Sequence, residues 1–78
     1  MRKLPVVSSD DVIRALKRGG FLYAPKRGKG SHVALYRVDA HGRYRLVIVP
    51  KRPELPRGTL KAILEQAGLT TEAFAELL

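Results

Sequence analysis

Two β-prone runs joined by a four-residue turn constrain this chain more than any other feature in it. The first runs from about Ser31 or His32 to Val38, and the second from Arg43 to Val49. Between them stands Asp39-Ala40-His41-Gly42, a hairpin turn with Gly42 at the position that needs a positive φ. In the second run Tyr44, Leu46 and Ile48 point one way, and Arg43, Arg45, Val47 and Val49 the other. Pro50 closes that strand, because proline cannot continue a ladder. A hairpin alone is marginal in water. It needs a third strand and something apolar to lie on one face.

The rest of the chain supplies both. Ser8 or Ser9 is a good N-cap, with Asp10 and Asp11 placed for the helix dipole, and Val12, Ile13, Ala15 and Leu16 form one apolar side. That predicts a helix over residues 9–18, ended by Gly19 in the left-handed conformation. Gly20-Phe21-Leu22-Tyr23-Ala24 reads as the first strand, stopped near Pro25. After a proline-bounded connector, Leu60, Ile63, Leu64 and Ala67 mark a second amphipathic helix stopped by Gly68. Thr70 caps a short last helix, with Leu69 placed to staple Phe74. The fold class is α+β, in the order α-β-β-β-α plus a short C-terminal helix, with a three-stranded antiparallel sheet and the helices on one face. The 78 residues make one domain spanning residues 1–78, and the hydrophobic share of 45% suffices for a modest core.

Charge narrows the function. Fifteen Lys and Arg against seven acids give +8 and a pI near 10.5, the footprint of a polyanion binder. Between Arg14 and Arg57 the only acids are Asp39 and Glu54, whereas the tail from Glu65 onward carries only acidic charge. Nucleic acid leads over a merely solvated basic surface or anionic lipid, since the cations sit mostly on predicted strands and loops. Zero cysteines exclude a disulfide framework and suit a reducing cytoplasm. No apolar run is long enough to span a bilayer, and no signal peptide is read.

The cations converge on Lys26-Arg27-Gly28-Lys29-Gly30-Ser31-His32, a loop that delivers positive charge and one imidazole to the start of the second strand. Gly28 and Gly30 would let backbone N–H groups approach a phosphate, or simply give a flexible connection. Tyr36 shares strand parity with His32, so its ring is placed either to stack on a nucleic-acid base or to pack in the core. Arg37, Arg43 and Arg45 around the hairpin, with Lys51, Arg52 and Arg57, are candidates for phosphate contacts. Two histidines and scattered acids give no metal-ligand spacing, and His41 reads as a solvated turn residue.

Taken in order, Gly20-Phe21, Lys29-Gly30-Ser31-His32, Val47-Ile48-Val49-Pro50 and Pro56-x-Gly58-Thr59-Leu60-x-x-Ile63-Leu64-x-x-Ala67-Gly68-Leu69 resemble the HicA toxin family over nearly the whole chain from Ser9 to Leu78. The resemblance implies a double-stranded-RNA-binding-like fold and a bacterial or archaeal toxin. Such a toxin would act as a metal-independent ribonuclease on mRNA, without a cofactor, and be neutralised by a HicB antitoxin. It places the family's functional histidine on His32. The expected RNA-contacting set is Lys26, Arg27, Lys29, Gly30, Ser31, Tyr36, Arg43, Arg45, Lys51 and Arg52. One position departs from the pattern: many relatives carry a second histidine shortly after the strand-closing proline, and here that position is Arg52. The change keeps positive charge but loses a group able to exchange a proton near neutral pH.

His32 suits metal-free RNA cleavage because an unperturbed imidazole, with a pKa of about 6.5, can take a 2′-hydroxyl proton. Fixed cations would then face the charge developing on phosphorus. From the residues alone, a histidine that starts a strand and hydrogen-bonds its loop competes with that role. Two other functions stand beside the enzyme: a non-catalytic double-stranded-RNA-binding module, and an interaction subunit whose charge recruits an acidic protein.

Overall fold

Ser8 starts the first helix because its hydroxyl accepts the Asp11 N–H at 3.1 Å while the Asp11 carboxylate accepts the Ser8 N–H at 3.0 Å. This reciprocal capping box opens α1, Ser9–Arg18, and buries Val12, Ile13, Ala15 and Leu16 on one side. A computed structural model describes residues 4–24 and 30–78. In it α1 has the bounds its sequence predicts, but the left-handed residue that ends it comes one position later. Gly19 keeps φ −81°, and the left-handed conformation falls on Gly20 at φ 92°. The hydrogen bonds give the reason: Phe21 N–H reaches the Leu16 carbonyl and Gly20 N–H the Lys17 carbonyl, each at 3.0 Å. That pairing requires its left-handed residue one position past the cap.

Closing the helix uses up the start of the expected first strand. Gly20 belongs to the helix end and the Phe21 side chain is buried, so β1 is only Leu22–Tyr23 rather than residues 20–24. β2, His32–Val38, lies where the sequence places it. β3 is Tyr44–Pro50, shifted by one residue at both ends from the expected 43–49. Arg43 is drawn into the turn, its carbonyl accepting the Asp39 N–H at 2.9 Å. Pro50 sits inside the strand, as the rung opposite His32. A proline is tolerated there because β3 is an edge strand and Pro50 is its last residue. The Asp39 carboxylate holds the turn by accepting the N–H groups of His41 and Arg43, both at 2.9 Å, with Gly42 at φ 77°.

The sheet order is β1-β2-β3, antiparallel throughout. Two further helices follow: α2, Arg57–Ala67, and α3, Thr71–Leu77. α2 ends on Gly68 at φ 72°, with the Leu69 N–H bonded to Leu64, the same closure as in α1. Thr70 caps α3, and Phe74 is wholly buried. One sheet face carries Leu35, Val47 and Val49, all fully buried against Val12, Leu16, Leu60 and Ile63 from the helices. Each such side chain contributes roughly 1.5–3 kcal/mol of transfer free energy. The opposite face is the more exposed one, with Leu22, His32, Val38 and Tyr44 in solvent, Tyr36, Leu46, Ile48 and Pro50 half-buried, and the small Ala34 buried. This is the expected α+β architecture, a three-stranded antiparallel sheet flanked by helices with a C-terminal helix added.

Candidate active site

His32 is the first residue of β2, on the exposed face, with its own side chain in solvent. Its rung partner is Pro50, and one residue beyond, Lys51 N–H donates to the Ser31 carbonyl at 2.6 Å. Gly30 precedes them at φ 56°, a conformation that favours glycine, in open space. Ser31, His32, Lys51 and Arg52 therefore gather at one end of the sheet.

Arg52 is held there by a residue the sequence offered only as a helix cap. Ser9 N–H donates to the Arg52 carbonyl at 3.0 Å. The Ser9 hydroxyl donates to that same carbonyl at 3.1 Å and accepts the Arg52 N–H at 3.0 Å. Ser9 is buried, so the backbone of Arg52 is tied to the first turn of α1 while its side chain stays exposed. The Ser8-Ser9 doublet was the available signal. One serine caps the helix, and the other ties the β3–α2 connector to it.

The other predicted residues divide. Tyr36 lies on the His32 face, stacked on Tyr44 with ring centroids 5.7 Å apart and planes 21° from parallel. Arg43 is exposed at the far, hairpin end. Arg45 shares that end but points to the helix side, where it pairs with Asp39 at 3.2 Å and lies against Gly68. Arg37 is likewise occupied: it donates to the Gly19 carbonyl at 3.0 Å and sits over the Phe21 ring. Lys26, Arg27 and Lys29 lie outside the described residues.

The Asp39 carboxyl is held below its ordinary range, first by the Arg43 N–H, then by the His41 N–H and the Arg45 guanidinium. Asp11 is lowered too, chiefly by the backbone N–H of Ser8 and its hydroxyl, with help from Arg14. Both acids are thus committed to local structure, and neither lies at the His32 end as a free carboxylate. Among the described residues no three His, Asp or Glu side chains converge on one point.

An exposed imidazole at one end of the sheet of a small basic α+β fold, with two surface cations following its rung partner, is the arrangement these residues produce. A family model described as "HicA toxin of bacterial toxin-antitoxin" matches residues 9–69. The chain belongs to the HicA toxin family. No curated protein matches it. The matched span begins at Ser9, which secures Arg52, contains His32 and both hairpin strands, and ends at Leu69, whose N–H closes α2. α3 lies beyond it. Membership of the HicA family makes this chain the toxin partner of a cognate antitoxin.

Proposed function

We propose that this HicA-family chain is the toxin of a type II toxin-antitoxin pair, a metal-independent endoribonuclease that cleaves mRNA in the cytoplasm and so inhibits translation. Residues 1–78 act as one RNA-binding and ribonuclease domain, and a HicB-like antitoxin neutralises it. The observation that carries this reading is the exposure of His32 on the sheet face turned away from the helices, with the backbones of Lys51 and Arg52 anchored at the same end. In the neutral form the imidazole accepts the proton of a ribose 2′-hydroxyl. The 2′-oxygen bonds to the adjacent phosphorus and the bond from phosphorus to the 5′-oxygen breaks. The products are a 2′,3′-cyclic phosphate and a 5′-hydroxyl, whose proton comes from the imidazolium or from water. Lys51 and Arg52 face the negative charge that builds on the phosphoryl oxygens.

Purified protein and its His32→Ala variant, incubated with an mRNA fragment, test the assignment. Loss of a general base lowers the cleavage rate by about 10²–10⁴-fold. Equal rates for the two proteins would exclude His32 from the chemistry. A second reading has one residue in its favour: Arg52, which cannot exchange a proton, stands where many relatives carry histidine. In that reading the chain binds RNA without cutting it, and wild-type protein would leave bound mRNA intact.

A further inference from the structure

The register puts Leu22 of β1, Tyr36 and Val38 of β2 and Tyr44 of β3 on the face turned away from the helices, together with His32. Leu22 is 59% exposed, Val38 58% and Tyr44 55%, whereas Leu35 and Val47 on the inner face are at 0%. A sheet that leaves Tyr44 and this much apolar surface in solvent, with Tyr36 half-buried beside it, presents a binding face. Its geometry says what lies on it. The two tyrosines stack on each other at 5.7 Å. Tyr36 and His32 belong to one strand, four residues apart, or about 13 Å at roughly 3.3 Å per residue. A polymer held at His32 has this surface next to it, along the same strand.

Charge separates the occupants. None of the strand residues on this face is acidic, and exposed cations flank β3 at both ends, Arg43 on one side and Lys51 with Arg52 on the other. The surface therefore suits a polyanion with flat apolar faces. Duplex RNA keeps its bases stacked inside and offers phosphates and hydroxyls, whereas unpaired bases stack on aromatic side chains. We propose that the outer sheet face is a stacking platform for unpaired RNA, with the Tyr36–Tyr44 pair taking a base and directing a phosphate further along the strand to His32. The proposal rests on the ribonuclease reading above, and it makes single-stranded rather than duplex RNA the substrate, despite the expected likeness to double-stranded-RNA-binding folds.

The test uses the full-length His32→Ala protein, which holds RNA uncut, and a labelled oligoribonucleotide presented alone or annealed to its complement. Tyr36→Leu and Tyr44→Leu, separately and together, keep an apolar side chain and remove the π-face. The expected result is tighter binding of the unpaired strand, and a loss of about tenfold or more on removing each ring. Ring-proton shifts of Tyr36 and Tyr44 on titration with oligouridine report the same contact without any substitution of the rings. Equal affinity for duplex and unpaired strand, or unchanged affinity and unshifted rings, overturns the platform. So does a double variant that binds RNA normally but loses the antitoxin or changes its oligomeric state, which makes the face a protein dock. In all of these cases cleavage by the wild-type protein leaves the ribonuclease reading standing. A wild-type protein that neither binds nor cuts RNA overturns both.

Discussion

Adjacent serines begin α1, and only one of them is a helix cap. Ser9 spends its hydroxyl on the Arg52 backbone, as acceptor at 3.0 Å and donor at 3.1 Å. Ser9→Ala strands the Arg52 N–H in a part-buried position, a loss of about 1–3 kcal/mol. Urea unfolding measures that loss. Under the proposed ribonuclease reading, the variant assayed below its unfolding midpoint is also expected to raise KM for RNA, because the backbone of Arg52 is no longer tied to α1. Ser9→Thr, which keeps the hydroxyl, restores part of both. Two glycines give a second contrast. Gly42 and Gly68 have similar φ, 77° and 72°, but a Cβ at Gly42 meets nothing within 4 Å, while one at Gly68 meets the Arg45 guanidinium at 3.0 Å. Gly42→Ala therefore costs only the left-handed conformation, about 1–2 kcal/mol. Gly68→Ala costs more, because the Arg45 guanidinium must also give way and its pairing with Asp39 is strained. Equal unfolding free energies for the two variants would refute this account of Gly68.

At the scale of elements, the β2–β3 hairpin and the start of α1 each depend on one ionised acid. Asp39 gathers two turn N–H groups and Arg45, and Asp11 completes the capping box and pairs with Arg14 at 2.7 Å. Both carboxyls titrate below their ordinary value of 3.8. The unfolded chain thus binds protons in a range where the folded chain does not. The stability these acids contribute is complete above the ordinary carboxylate range and is lost as pH falls through their lower folded values. The melting temperature is expected to be flat from about pH 7 to 5 and to drop below about pH 4. Asp39→Asn melts lower at neutral pH, and its deficit narrows as the solution is acidified. A deficit that stays constant across that range would mean that the charge of Asp39 contributes nothing.

For the whole molecule the decisive quantity is net charge, +8 on 78 residues. RNA affinity is expected to fall linearly with the logarithm of salt concentration, with a slope of about −0.7 per phosphate contacted on a single strand. Lys51→Ala and Arg52→Ala each make the slope shallower by about that amount. Arg45→Ala leaves it unchanged and lowers stability instead, since its guanidinium is occupied by Asp39. A slope change on removing Arg45 would show that its ion pair opens to let it reach RNA. The amphipathic spacing of Leu60, Ile63, Leu64 and Ala67, the turn at Asp39–Gly42 and the parity of β2 and β3 were all legible in the chain. Each depends on neighbours a few residues away, where period and turn chemistry decide the outcome. So was the placing of His32 and Tyr36 on one face, because parity alone fixes it. The shortness of β1 was not: Gly20 and Phe21 are claimed by the closing of α1, a competition that strand propensity does not record. Ser9 and Arg52, 43 positions apart, meet only because the sheet brings the end of β3 to the first turn of α1. Arg43 and Arg45 look equivalent in sequence, yet Arg43 is exposed beside the turn while Arg45 is ion-paired to Asp39 and lies against Gly68, a contact between β3 and the end of α2 that only packing settles. The sequence by itself determined the elements, the charge and the side of the sheet on which the imidazole stands. Only the tertiary structure decided which cations stay exposed and which hold the fold together, because that choice depends on contacts between residues far apart in the chain.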